Sequence, residues 1–158
     1  MSTIPLTVRG AKLLRDELNR LKHEDRPAVI TAIAEARSQG DLSENAEYEA
    51  AKERQGFIEG RIAELETKLA AAQVIDTASI QAEGRVVFGA TVMLESTENG
   101  EKVTYQIVGD DEAEIKEQRI SISSPLARAL IGKSAGDVAS FQAPGGEQEY
   151  EILSVDYR

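Results

Sequence analysis

With 158 residues, no cysteine, no tryptophan and 41% hydrophobic residues, the chain has room for one ordinary domain or two small ones, and it excludes both a disulfide framework and a thiolate metal site. A formal charge of −10 argues against autonomous nucleic-acid binding, because neutralising phosphates takes a surplus of Lys and Arg; any nucleic acid is expected to be presented by another protein. Nothing at the start reads as a signal peptide and no apolar run approaches the ~18 residues of a membrane span, so the expectation is a cytoplasmic protein with no membrane contact.

The first predicted element is a helical arm carrying Leu14, Leu18, Leu21, Asp25, Val29, Ala32 and Ala36. Two successive steps of four around Asp25 form a stutter, which unwinds a supercoil locally. Pro27 lies beside it and lacks a backbone donor, so this arm is expected to kink or break there. His23, the one histidine, sits among charges with no second soft ligand and reads as an exposed side chain.

Next comes the polar turn Gly40-Asp41-Leu42-Ser43-Glu44-Asn45. Gly40 suits the left-handed position that ends a helix, and the following helix can begin at Asp41 or Ser43. The second arm repeats Tyr48, Ala51, Gln55, Ile58, Ile62, Leu65, Leu69 and Ala72 in unbroken steps of three and four, a coiled-coil seam. At about 1.5 Å per residue the seam spans roughly 36 Å, more than a small domain needs for its own core. The short connection predicts an antiparallel hairpin with Asp41 and Glu44 at its far end. Arg37, Lys52 and Arg54 form a small basic collar within about two turns of that end.

Two acids three residues apart admit two readings. Asp41 and Glu44 match a capping box, each satisfying helix-start amides. They also have the chemistry of Mg²⁺ ligands, too few for a tight site, so a metal would be held only when a partner completes the coordination sphere. The collar likewise reads either as helix pairing within the arms or as an RNA contact.

After Asp76 the apolar period changes from seven to two, dividing the chain into a hairpin over residues 1–76 and a second domain over 77–158. Residues 1–76 hold 11 basic and 14 acidic groups, and residues 77–158 hold 7 and 14, so most of the acidity belongs to the second domain. Thr77 to Glu83 reads as a connection, followed by predicted strands over Arg85–Leu94, Val103–Val108, Ile120–Ile122, Val138–Phe141 and Tyr150–Val155. Glu98-Asn99-Gly100 and Pro144-Gly145-Gly146 mark turns. A short helix is punctuated by Ser124 as N-cap, Pro125 at its first position and Gly132 past its end. The expected class is α+β: an antiparallel two-helix coiled coil, then a small antiparallel sheet with one helix.

The whole chain resembles the bacterial Gre transcript-cleavage factors. The resemblance is carried by Ile4-Pro5-Leu6-Thr7 with Gly10, Ala34-Glu35-Ala36-Arg37, Gly40 to Tyr48, Gly56-Phe57-Ile58-Glu59-Gly60-Arg61, Phe88-Gly89-Ala90, Val108 to Ala113, Ser124 to Lys133, and Pro144 to Glu147. It implies a factor, not itself an enzyme, that binds bacterial RNA polymerase when the RNA 3′ end has been extruded by backtracking. Its coiled coil would enter the secondary channel, and Asp41 and Glu44 would be donated to the polymerase active centre, sharing Mg²⁺ there and promoting hydrolysis of the transcript. On the same resemblance Leu42, Asn45 and Tyr48 shape the tip, and Arg37 and Lys52 lie near the RNA. The C-terminal domain has the look of an FKBP-like fold that docks at the channel rim through Ser123, Ser124 and Pro125. The stronger basic patch of the GreB type is missing, which points toward short backtracks. No stably bound cofactor and no small-molecule substrate is implied.

Three other readings compete. A protein of the same shape can modulate polymerase from the channel without stimulating cleavage, though both acids argue against it. An FKBP-like domain can isomerise prolyl bonds, which takes an aromatic-lined pocket drawn here from Phe88, Tyr105, Phe141, Tyr150 and Tyr157. A plain coiled-coil adaptor would need no acids at its tip.

Overall fold

A computed structural model of the chain describes residues 3–40 and 45–158. Internal contacts divide it into two units: Ala11–Ala72 belongs to one, and Thr3–Gly10 with Gln73–Arg158 to the other. This differs from a cut at residue 76, because the first strand, β1 (Ile4–Thr7), pairs with β2 (Ala72–Ile75) in a two-stranded sheet. The hairpin is thus an excursion made between two strands that meet each other.

The first arm runs through α1 (Val8–Arg20), a π-helical turn (Leu21–Asp25) and α2 (Arg26–Arg37). Arg20 and Arg26, on either side of the π turn, keep right-handed helical angles, so the arm is widened rather than broken. The Arg26 N–H donates to the Leu21 carbonyl five residues back. A π turn takes up more residues than an α turn. It therefore absorbs the stutter and returns Leu21 and Val29, 7% and 1% exposed, to the buried face. Pro27 sits in the first turn of α2, directly after the π turn. His23 is exposed, as the charged surroundings predicted.

The second arm is α3 (Ala46–Ala71), 26 residues or about 39 Å long. Ala51, Ile58, Ile62 and Leu65 are buried along it, and Tyr48, Gln55 and Leu69 are half-buried, so the predicted seam is the packed face. The arms run antiparallel: Ala36 meets Asn45 at one end while Arg26 meets Glu59 further along.

In the other unit the strand order is β5 (Arg119–Ser121), β4 (Lys102–Val108), β3 (Thr91–Ser96), β7 (Gly146–Asp156), β6 (Val138–Ala143). All pairs are antiparallel except β4 with β5, so the sheet is mixed and not purely antiparallel. The link from β4 to β5 makes two 3₁₀ turns, Asp110–Glu112 and Ile115–Glu117, and so brings the chain back in the same direction. The strand expected from Arg85 begins only at Thr91. Val86, although fully buried, exchanges backbone hydrogen bonds with Gly132 and Lys133 instead of a sheet neighbour.

Helix α4 (Pro125–Leu130) has the expected punctuation, with the Ser124 hydroxyl accepting from Ala127 N–H and Gly132 at φ +87 beyond its end. Its Ala127 and Leu130 complete a core with Val92, Leu94, Ile107 and Ile152. A fully buried Leu, Ile or Val side chain contributes about 1.5–3 kcal/mol, so this small core is the main support of the sheet. The class is α+β. No described helix is long and apolar enough to cross a membrane.

Candidate functional site

The acids Asp41 and Glu44, together with Leu42 and Ser43, lie outside the described residues. What surrounds them is defined. Helix α2 ends at Arg37, Ser38 turns its hydroxyl back to the Glu35 carbonyl at 2.6 Å, and Gly40 adopts φ +111, a conformation that side chains resist. The chain is thereby turned out of the first arm.

The second arm does not begin at Asp41 or Ser43, as its acidic start suggested. Its N-cap is Asn45, whose side-chain oxygen accepts from the Tyr48 N–H at 3.0 Å. The Asn45 amide nitrogen donates to the Ala36 carbonyl at 2.7 Å. One side chain therefore satisfies an orphan donor of α3 and an acceptor at the end of α2, fastening the arms on both sides of the turn. Tyr48 is half-buried one turn in.

Arg37 and Lys52 come together on one groove with Ile30, Ile33, Ala34 and Gln55, both exposed, and the Lys52 ammonium lies 3.3 Å from the Gln55 amide oxygen. Arg54 belongs to a different groove, with Asp25, Ala28, Val29 and Ile58. The collar is therefore split.

The arms are also joined by pairs that the heptad reading did not single out. Arg26 holds Glu59 with two hydrogen bonds of 2.8 and 2.7 Å, and Arg61 holds Glu17 with two of 2.7 and 2.9 Å. The guanidinium of Arg61 keeps the Glu17 carboxyl below the usual carboxylate range, against the opposing effect of partial burial. Each of these residues flanks a seam position, where interhelical charges belong, so the signal was present in the pattern.

In the sheet unit, Ser123 and Pro125 are exposed and Ser124 is half-buried in its capping role. Both Ser121 and Ser123 donate their hydroxyls to the Asp110 carboxylate, Ser123 at 2.6 Å. The Ser123 N–H donates to Ser121 Oγ at 3.1 Å, so three residues hold one loop. Among the aromatic side chains weighed for a prolyl site, Tyr157 is committed to the backbone of Arg85 and Val87, and Phe141 stacks on Tyr150 at 6.2 Å. Burial pushes the Tyr157 hydroxyl above its ordinary range.

A second feature escaped the sequence reading. Glu112 is 7% exposed, and its carboxylate accepts from Thr7 N–H at 2.9 Å, from Gly109 N–H at 3.2 Å and from the Thr7 hydroxyl. The Thr7 hydroxyl in turn accepts from Gly10 N–H at 3.0 Å, capping α1. A Cβ on Gly10 would lie 2.0 Å from the Glu112 carboxyl carbon, so glycine is the residue that leaves room for the carboxylate. The available signal was the pairing of Gly10 and Gly109 with an acid far along the chain.

Among the described residues no group of three or more His, Cys, Asp or Glu is placed to hold a metal. Residues 4–74 match the family model described as transcription elongation factor, N-terminal, and residues 81–157 match that described as transcription elongation factor, GreA/GreB, C-term. The chain is 69% identical to the transcription elongation factor GreA of Ralstonia nicotianae and 67% identical to that of Halorhodospira halophila, each over 99% of both chains. Among solved structures, the GreA factor homolog 1 protein of Thermus thermophilus is 29% identical over 98% of this chain and 99% of that one, with a TM-score of 0.45. On the two domain matches and the full-length identities, the chain belongs to the GreA/GreB family of transcription elongation factors.

Proposed function

We propose that this transcription elongation factor acts on backtracked bacterial RNA polymerase, inserting its hairpin into the secondary channel and stimulating the polymerase's own cleavage of the extruded RNA 3′ end. The observation that carries the reading is the cap. Asn45 already accepts from the Tyr48 N–H at the third position of α3, so this donor calls on neither acid of the turn.

The arms supply reach and stiffness. A 26-residue helix is about 39 Å long, and the bidentate pairs Arg26–Glu59 and Arg61–Glu17 hold the arms against shear. Arg37 and Lys52, on one groove near the turn, have the charge to sit against the RNA backbone.

Asp41 and Glu44 are hard oxygen donors, and as a pair they suit Mg²⁺ shared with a partner better than Mg²⁺ held alone. When bound in such a centre, Mg²⁺ lowers the pKa of its water and offsets charge on the phosphoryl group. The two carboxylates would orient the attacking water and take up its proton, while Leu42, Asn45 and Tyr48 shape the tip that presents them. Ser123, Ser124 and Pro125 would dock the sheet unit at the channel rim.

A stalled, backtracked elongation complex supplied with Mg²⁺ tests this. Asp41→Asn and Glu44→Gln are expected to slow RNA shortening by about tenfold to a hundredfold relative to the unaltered factor. Shortening at an unchanged rate would remove the catalytic role.

A further inference from the structure

The exposed loop from Ser121 to Pro125 presents hydroxyl groups, which in general both donate and accept. Here that freedom is restricted. Ser121 Oγ and Ser123 Oγ both lie against one oxygen of Asp110, and they lie 2.8 Å from each other. An ionised carboxylate only accepts, so the hydroxyl protons of both serines are drawn inward, onto the carboxylate or along the pair. Ser121 Oγ also receives the Ser123 N–H, which fixes the backbone between the two serines. What remains facing outward on the exposed Ser123 is lone pairs, beside an exposed anionic side chain.

We propose that Asp110 is a positioning residue for polymerase docking: it locks the loop serines as hydrogen-bond acceptors, so that the surface they meet at the channel rim is a cationic side chain of the polymerase. This rests on the docking reading given above for Ser123, Ser124 and Pro125. The charge of the surroundings agrees, since residues 77–158 carry twice as many acidic as basic groups. Asp111, next in the chain, is also exposed. A cationic donor fits such a surface, and an anionic partner would be repelled.

The experiment uses the full-length factor and stalled polymerase. It measures the factor concentration that gives half-maximal RNA shortening, over a series of salt concentrations, for the unaltered chain and for Asp110→Asn, Asp110→Glu, Ser123→Ala and Pro125→Ala. Asp110→Asn keeps the shape but lets an amide donate back to the serines. It is expected to raise the half-saturating concentration about three- to tenfold at low salt and to flatten its salt dependence. The rate at saturation and the urea midpoint should stay as they were, and Asp110→Glu should recover most of the affinity. A merely structural role would move the urea midpoint and leave the salt slope unaltered. Weakening by Ser123→Ala or Pro125→Ala with no effect of Asp110→Asn overturns the inference and leaves the docking loop standing. Weakening by Asp110→Asn that is equal at all salt concentrations overturns the cationic partner. If no loop variant changes the half-saturating concentration, the docking reading itself falls, and this inference with it.

Discussion

Replacing Gly10 by alanine tests the buried carboxylate most sharply, because local and tertiary effects have opposite signs. Ala is favoured over Gly by up to about 1 kcal/mol in a helix interior and by less in the first turn, where Gly10 lies, so α1 alone predicts a small gain. The new methyl, however, would sit 2.0 to 2.3 Å from three atoms of Glu112. That carboxylate cannot stay where it accepts from Thr7 N–H and Gly109 N–H. Each hydrogen bond to a charged acceptor contributes about 1.5–3 kcal/mol, and the donors left behind are buried. After partial relaxation and the helix gain, the net loss is about 2–4 kcal/mol. With a urea dependence near 2 kcal/mol/M, the unfolding midpoint should fall by roughly 1–2 M. Denaturation followed by circular dichroism reads this directly, and the double variant with Glu112→Ala provides the check. Once the carboxylate is gone, Gly10→Ala should cost nothing further. A single variant as stable as the unaltered chain, or losses that simply add in the double variant, would refute the packing argument.

Asn45→Ala should cost about 1–2 kcal/mol through the lost cap and the lost bond to Ala36, while Asn45→Asp keeps the acceptor for Tyr48 and loses less; urea unfolding of the three chains ranks them. Glu17 has its folded-state pKa below its ordinary value because of Arg61, so its contribution is present above the ordinary glutamate pKa and fades as pH falls through the lowered one. The stability difference between the unaltered chain and Glu17→Gln should therefore be steady at neutral pH and disappear on acidification below the usual carboxylate range, as read by unfolding at a series of pH values. Gly56 and Gly60 lie inside α3 with open space where a Cβ would go, so Gly56→Ala and Gly60→Ala should each stabilise by roughly 0.5–1 kcal/mol, measurable as a higher midpoint.

The parts of this fold that the chain displays in advance are those set by neighbours in sequence. The α3 seam, the Ser124–Pro125–Gly132 punctuation of α4 and the hairpin turn at Pro144-Gly145 follow from side-chain period and local backbone preference. The misread parts depend on distant partners. Strand β1 carries no alternation strong enough to predict it and exists because β2 returns to it. Val86 looks like strand until its backbone is seen paired to the loop after α4. The start of α3 was misplaced for a subtler reason. Asp41, Ser43 and Asn45 are all good N-caps, and only the Ala36 carbonyl across the turn selects the one with an amide to donate. At the candidate site, Asp41 and Glu44 lie outside the described residues, and the division of Arg37 and Lys52 from Arg54 required knowing which face of each arm is packed.

The pairing of β1 with β2 where the long arms leave and rejoin the sheet unit makes the hairpin adjustable like a ruler. Removing or adding seven residues in each arm keeps every apolar side chain in phase and leaves the closing strands untouched. Each such step changes the length of the paired arms by about 10.5 Å, so the hairpin can be lengthened or shortened without redesigning its root.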